Sequence, residues 1–132
     1  MEIFPPQKIK IVDIEGKGRG VIATQDIKNG ETIEICPILY ISKEEADFIK
    51  NKAEVLKYYC LEQVDNDKLC VMFGYGSIYN HDSENPNADI DYREGKSDNY
   101  LYFKAIKDIK AGEEIVYDYE FDDGKVEFLK SK

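Results

Sequence analysis

Two segments in the C-terminal half hold the residue types best suited to chemistry. They are Asn80-His81-Asp82-Ser83-Glu84-Asn85-Pro86-Asn87 and Gly112-Glu113-Glu114-Ile115-Val116-Tyr117-Asp118-Tyr119. The first is an irregular polar loop with the chain's only histidine. The second reads as a turn running into a strand, and residues two apart on a strand point the same way, so Tyr117 and Tyr119 share a face. A hydrolase needs its nucleophile and base side by side, and no Ser or Cys stands in a triad arrangement with His81. An Asn-His loop with a tyrosine pair suits a site made of aromatic walls and phenolic hydroxyls. The run Gly74-Tyr75-Gly76-Ser77-Ile78-Tyr79-Asn80-His81 is dense in aromatic, glycine and polar residues, which favours a pocket over a plain core. For Tyr117 and Tyr119 a packed core face remains open beside the active role.

Other patterns say what to exclude. A solitary histidine cannot build a zinc site, and Cys36, Cys60 and Cys70 are odd in number with no C-x-x-C spacing. No metal and no disulfide framework is expected, and a reducing intracellular compartment, cytoplasmic or nuclear, is the simplest setting. Asp65-Asn66-Asp67 lacks the glycine and closing glutamate of a calcium loop and reads as a solvated turn. Gly16-Lys17-Gly18-Arg19-Gly20 has neither dinucleotide nor P-loop spacing, and β-forming Val21-Ile22 follows it. A flexible hairpin turn fits it, and so does a turn whose bare backbone closely approaches a small ligand.

The elements that must position these residues are mostly short strands. Lys8–Ile14, Arg19–Ala23, Thr32–Ile41, Lys68–Phe73, Ala88–Tyr92, Tyr100–Ile106 and Glu114–Tyr119 carry the β-type composition or alternation. Pro37 predicts an edge or a bulge in its strand. Ser42-Lys43-Glu44-Glu45 fits a capping box, and Ala46, Phe48 and Ile49 follow at helical spacing. A second short helical stretch is predicted over Ala53–Tyr59, and loops around Pro86 and over Tyr92–Asn99. One pattern, A-x-x-D-I-K-x-G-E-x-I, occurs twice, from Ala23 and from Ala105. In each copy Asp opens a turn and Gly supplies the left-handed position, which predicts two similar corners in one β domain.

At 132 residues and 42% hydrophobic composition, the chain is sized for one domain, residues 1–132, with a helical insert at about 42–60. Its net charge of −9 argues against direct nucleic-acid binding, which wants a basic face. An acidic surface suits a basic peptide or protein partner, and it equally serves solubility alone. The start of the chain shows no secretory pattern, and no stretch is apolar for long enough to span a membrane.

Taken in order, Gly-Lys-Gly-Arg-Gly-Val-Ile-Ala at 16–23, Ile-Tyr-Asn-His-Asp-Ser-Glu-Asn-Pro-Asn at 78–87 and Gly-Glu-Glu-Ile-Val-Tyr-Asp-Tyr at 112–119 resemble three motifs of the SET-domain protein-lysine methyltransferases. The chain is similar to the minimal viral, bacterial and archaeal members that lack zinc-binding flanking modules. The resemblance implies a mainly β fold of small curved sheets with a C-terminal pseudoknot. It departs from the family at Asp82, where a serine usually follows the histidine, and the stretch from Asn80 to Asn87 is one residue longer than usual.

The resemblance further implies transfer of a methyl group from S-adenosylmethionine to a lysine amine of a protein, leaving S-adenosylhomocysteine. Tyr119 matches the catalytic tyrosine. Tyr117 matches a position whose hydroxyl holds a water beside the amine and leaves less room for added methyls, which implies a bias to monomethylation. Lys17, Gly18, Arg19, Asn80 and His81 are the implied cofactor contacts, with Tyr59 lining the donor pocket. Tyr75 and Tyr79 are assigned to the walls of the lysine channel, and Phe121 or Phe128 to the adenine. Glu113 and Glu114 read as shaping the turn or attracting a basic peptide. A homodimer through apolar residues on the insert stays open. The alternatives are a SET-like module that binds a lysine-rich peptide or S-adenosylmethionine without turnover, and an unrelated β interaction domain.

Overall fold

The computed structural model describes residues 3–62, 69–91 and 99–119. Ile9–Ile14 (β1) and Gly18–Ala23 (β2) form an antiparallel hairpin. Its turn is closed by the Lys17 amide donating to the Ile14 carbonyl at 3.0 Å. Gly16 and Gly18 adopt φ of +81° and +80° there, a conformation that side chains disfavour. The remaining strands are Thr32–Tyr40 (β3), Cys60–Glu62 (β4), Leu69–Met72 (β5), Asn80–His81 (β6), Ala88–Asp91 (β7), Tyr100–Ala105 (β8) and Val116–Tyr117 (β9). They assemble in the order β4-β5-β3-β8-β7-β9-β6. This is the mainly β, SET-type architecture expected.

The strand β3 serves two partners. Its first part pairs with β8, with an irregularity between Thr32 and Glu34, and its last three residues pair with β5. Pro37 sits at this handover, not at an edge, and the bulge lies nearer the strand's start. A proline is tolerated there because its carbonyl still accepts from the Phe73 amide at 2.8 Å, while the ladder that would have used its missing N–H begins one residue later.

Ser42 caps the one α-helix among the described residues, Lys43–Lys52 (α1), accepting from the Glu45 amide at 3.2 Å. The Glu45 carboxylate returns to the Ser42 hydroxyl at 3.3 Å. Only Ala46 of this helix is buried, and Phe48 is 63% exposed, so the helix lies on the surface. The second helical stretch is a single 3₁₀ turn, Leu56–Tyr58, because Ala53 is already extended. Lys68, the Asp65–Asp67 turn, Tyr92 with the loop after it as far as residue 98, and Phe121 and Phe128 lie outside the described residues.

The strand β9 lies between β6 and β7, parallel to both. Those two neighbours are joined by residues 82–87, so the C-terminal segment passes through that loop as the expected pseudoknot. Asp82 N donates to the Tyr117 carbonyl at 3.1 Å and Asn87 N to the Val116 carbonyl at 3.2 Å. The Asn87 side chain closes the clasp, accepting from Val116 N at 3.0 Å and donating to the Glu114 carbonyl at 2.8 Å. Residues 112–115 are taken up differently. They run antiparallel along β2, which is why the predicted Glu114–Tyr119 strand is only two residues long. Val21, Ile27, Cys36, Tyr79, Phe103, Ile109 and Ile115 are fully buried between these layers.

Candidate active site

Glu114 ties three parts of the chain together. Its carboxylate accepts from Lys17 Nζ and from Asn80 Nδ2, each at 2.7 Å. The same Asn80 amide donates to the Arg19 carbonyl at 3.0 Å, so both of its hydrogens are used. Glycine at position 20 makes this possible, since a Cβ there would lie 2.8 Å from both Asn80 Nδ2 and Glu114 Oε2. The Lys17–Glu114 ion pair is half exposed and contributes at most about 1 kcal/mol. Asn80 itself is buried, and its contacts carry more of the geometry.

Beside this junction lies a small open cleft lined by Lys17, Arg19, Tyr59, Ser77, Ile78 and Asn80. It gathers four of the residues singled out as cofactor contacts: Lys17, Arg19, Tyr59 and Asn80. Gly18 lies on the exposed strand between two of them. The Ser77 hydroxyl, 3.0 Å from the Tyr59 carbonyl, anchors Tyr59 to the opposite wall.

His81 stands apart from the lining, and its ring meets Tyr119. Nδ1 accepts from the Tyr119 amide at 3.0 Å, and the ring centroids are 5.0 Å apart. An accepting Nδ1 places the ring hydrogen on Nε2. That Nε2 is buried and has no partner among the described residues. Asp82 supplies what the loop needs. Its carboxylate accepts from Glu84 N at 2.9 Å and Asn85 N at 3.0 Å, a turn built on the side chain. The Asn85 amide bond leads among the causes that hold its carboxyl below the ordinary value.

Tyr119 is partly buried. Its hydroxyl donates to the Tyr79 carbonyl, and its ring lies 4.7 Å from that of Tyr117. Burial raises its phenol's pKa well above the ordinary value, and the nearby Glu114 and Tyr59 push the same way. The phenol is a neutral hydrogen-bonding group across ordinary pH, not a phenolate base. Tyr117 is buried, edge-on to Phe103 at 5.1 Å and to Tyr79 at 6.4 Å.

Tyr79 departs from the channel wall expected of it. Its ring is fully buried against Phe103 at 4.4 Å, and its hydroxyl donates to Glu34 Oε1 at 2.7 Å. The side chain of this residue faces the core, where its ring meets that of Tyr117, and its carbonyl accepts from the Tyr119 hydroxyl. Tyr75 is partly buried at the core's margin. Sequence reasoning missed Ser77 and Ile78 as cleft lining, Glu114 as the central acceptor, and Glu34 altogether. For Glu34 the clue was there: an acidic residue inside the apolar run Thr32–Tyr40.

Among the described residues no helix is long and apolar enough to cross a membrane, and no group of side chains could hold a metal ion.

The SET domain family model matches residues 18–120. The chain is 34% identical over 111 residues to the H3 lysine-37-specific histone-lysine N-methyltransferase of Schizosaccharomyces pombe, covering 84% of this chain and 72% of that protein. It is 31% identical over 121 residues to the N-lysine methyltransferase KMT5A-A of Xenopus laevis, covering 84% of this chain but only 36% of the relative. Among solved structures, a Plasmodium falciparum protein described as a candidate histone methyltransferase superposes with a TM-score of 0.69 at 30% identity, over 90% of this chain and 98% of that one. CpSET8 of Cryptosporidium gives the same TM-score, 0.69, at 25% identity, over 87% of this chain and 58% of that one. The chain belongs to the SET-domain family of protein-lysine methyltransferases.

Proposed function

We propose that this chain transfers a methyl group from S-adenosylmethionine to the side-chain amine of a lysine in a basic protein, with a bias to monomethylation. The observation that carries the reading is the meeting of Lys17, Arg19, Tyr59 and Asn80 around one cleft, with Tyr59 in electrostatic reach of the Tyr119 phenol. These residues fit the donor: cations for a carboxylate, an aromatic face for a flat or sulfonium-bearing group, and amide and hydroxyl groups for polar edges. The orphaned Nε2–H of His81 fits an acceptor that the described chain does not supply. S-adenosylmethionine provides the activated methyl group.

The chain's own contribution is positioning. A lysine with a pKa near ~10.4 costs roughly 4–5 kcal/mol to deprotonate at pH 7, and a dry channel beside a bound positive charge would favour the neutral amine. Tyr119, its hydroxyl held by the Tyr79 carbonyl, orients the reacting groups without moving a proton itself. The hydroxyl of Tyr117 occupies space beside the amine that a second or third methyl would need. Tyr75 stands at the margin of the proposed lysine channel. The net charge of −9 favours encounter with a basic partner, and the relatives named for histone substrates act on basic proteins of this kind. The reading includes a single minimal catalytic domain working inside the cell, in the cytoplasm or nucleus. Exposed Phe48, Val55 and Leu56 on the insert offer a surface for pairing two chains.

Incubation with methyl-labelled donor and a panel of basic proteins tests the activity, and calorimetry tests donor binding. Binding without transfer favours the non-catalytic module, and absence of both overturns the reading. Mainly trimethylated product in mass spectrometry overturns the monomethyl bias, and light scattering tests the dimer.

A further inference from the structure

We propose that Glu34 and Tyr79 form a buried clamp that fixes the main chain at residue 79 and, through its carbonyl, the hydroxyl of Tyr119. The inference rests on the methyl-transfer reading and adds two positioning residues to it.

A carboxylate in the middle of an apolar strand demands a reason. Glu34 is 4% exposed, and Tyr79 is completely buried. Taking such a charge out of water is costly, and an apolar side chain of similar volume would pack without that penalty. The carboxylate is nevertheless fully engaged. Oε1 accepts from the Tyr79 hydroxyl at 2.7 Å, Oε2 accepts from the Tyr75 amide at 2.9 Å, and the Cys36 thiol is a further hydrogen-bond neighbour. The turn has been shaped to it. Gly74 has φ of +73°, and a Cβ there would meet Glu34 Oε2 at 2.4 Å.

These bonds grip residues 75 and 79, the two ends of a segment whose middle, Ser77 and Ile78, lines the cleft. The segment ends at the carbonyl that accepts from Tyr119. With its ring wedged on Phe103 and its hydroxyl pinned to Glu34, residue 79 has no freedom to swing that carbonyl. Asn80 is held independently, by Glu114 and the Arg19 carbonyl. Releasing the clamp should thus disturb the Tyr119 hydroxyl and leave the donor cleft in place.

The test compares the full-length wild type with Tyr79→Phe and Glu34→Gln. Tyr79→Phe, which keeps the ring and loses the pin, is expected to lower kcat about tenfold with donor affinity by calorimetry changed less than about twofold. Glu34→Gln retains an acceptor for the Tyr75 amide and a polar partner for Tyr79, and is expected to keep most of the rate. A second readout needs no turnover. The Tyr119 hydroxyl proton, assigned by its loss in Tyr119→Phe, is expected as an exchange-protected NMR resonance in the wild type, lost in Tyr79→Phe and kept in Glu34→Gln. Should Tyr79→Phe not fold, the double variant Glu34→Gln, Tyr79→Phe removes the unpaired charge and takes its place. Unchanged kcat, or a Tyr119 resonance that stays protected in Tyr79→Phe, overturns the clamp while the methyl-transfer reading stands. A wild type that transfers nothing overturns that reading, and the resonance still decides the clamp.

Discussion

Ile27 and Ile109 exchange main-chain hydrogen bonds in both directions, at 2.8 and 2.7 Å, where the two copies of the repeated motif meet. The exchange extends to neighbouring side chains. Asp26 accepts from the Ala111 amide and Asp108 from the Asn29 amide, each at 2.9 Å, so each aspartate caps the other copy's turn. Glu31 and Glu113 close their own turns at 3.0 Å, on Lys28 N and Lys110 N.

The reciprocity makes a direct prediction. Asp26→Ala and Asp108→Ala should each cost about 1 kcal/mol of stability, as loss of a single exposed cap does. Urea denaturation checks it. A large difference between the two would mean that the turns are not equivalent.

Glu114 should matter to the donor more than to the fold. Glu114→Ala removes one of the two acceptors of the Asn80 amide together with the partner of the Lys17 ammonium, and donor affinity by calorimetry is expected to fall about tenfold, or ~1.4 kcal/mol. The melting temperature should move by only a few degrees, since a ~1 kcal/mol change shifts a domain of this size by roughly 4 °C.

Gly20→Ala probes the same junction from its other side. The added methyl would press on Asn80 and Glu114 and also lie 2.4 Å from Ile14 Cδ1, so a loss of about 1–3 kcal/mol is expected together with weaker donor binding. Thermal unfolding and calorimetry on one sample read both effects.

The strands and the two corners were legible because alternation and turn chemistry are local. The threading was not, and only the family resemblance implied it, because what holds Val116–Tyr117 is a pair of bonds from Asp82 and Asn87 far away in sequence. Tyr79 was misplaced for a similar reason. A tyrosine in a polar, glycine-rich run looks like a pocket residue until its buried acceptor, Glu34, is known. The cleft residues Lys17, Arg19 and Asn80 stood out because short motifs name them, whereas Ser77 and Ile78 contribute to it without any motif of their own.

The pH dependence of transfer is expected to come from the substrate amine and not from Tyr119. Its phenol's pKa is raised above the ordinary 10.0, with burial the largest cause, so the group stays protonated through neutral and mildly alkaline conditions. The rate is expected to rise with pH between about 7 and 9, following the fraction of neutral substrate amine, with the same slope in Tyr119→Phe at a lower level. A slope that disappears in Tyr119→Phe would assign the ionisation to the tyrosine instead. The sign for stability is opposite. The unfolded chain ionises first, so Tyr119 lowers stability as pH climbs past 10.0.

The clasp of residues 82–87 around Val116–Tyr117 also sets an order of events in the cell. A ribosome that has just finished residue 111 has already made β1 through β8, yet Asn80 has only the Arg19 carbonyl and lacks Glu114, the His81 ring lacks the Tyr119 amide, and the tyrosine pair does not exist. The groups around that clasp come together only once residues 114–119 have been made and laid between β6 and β7.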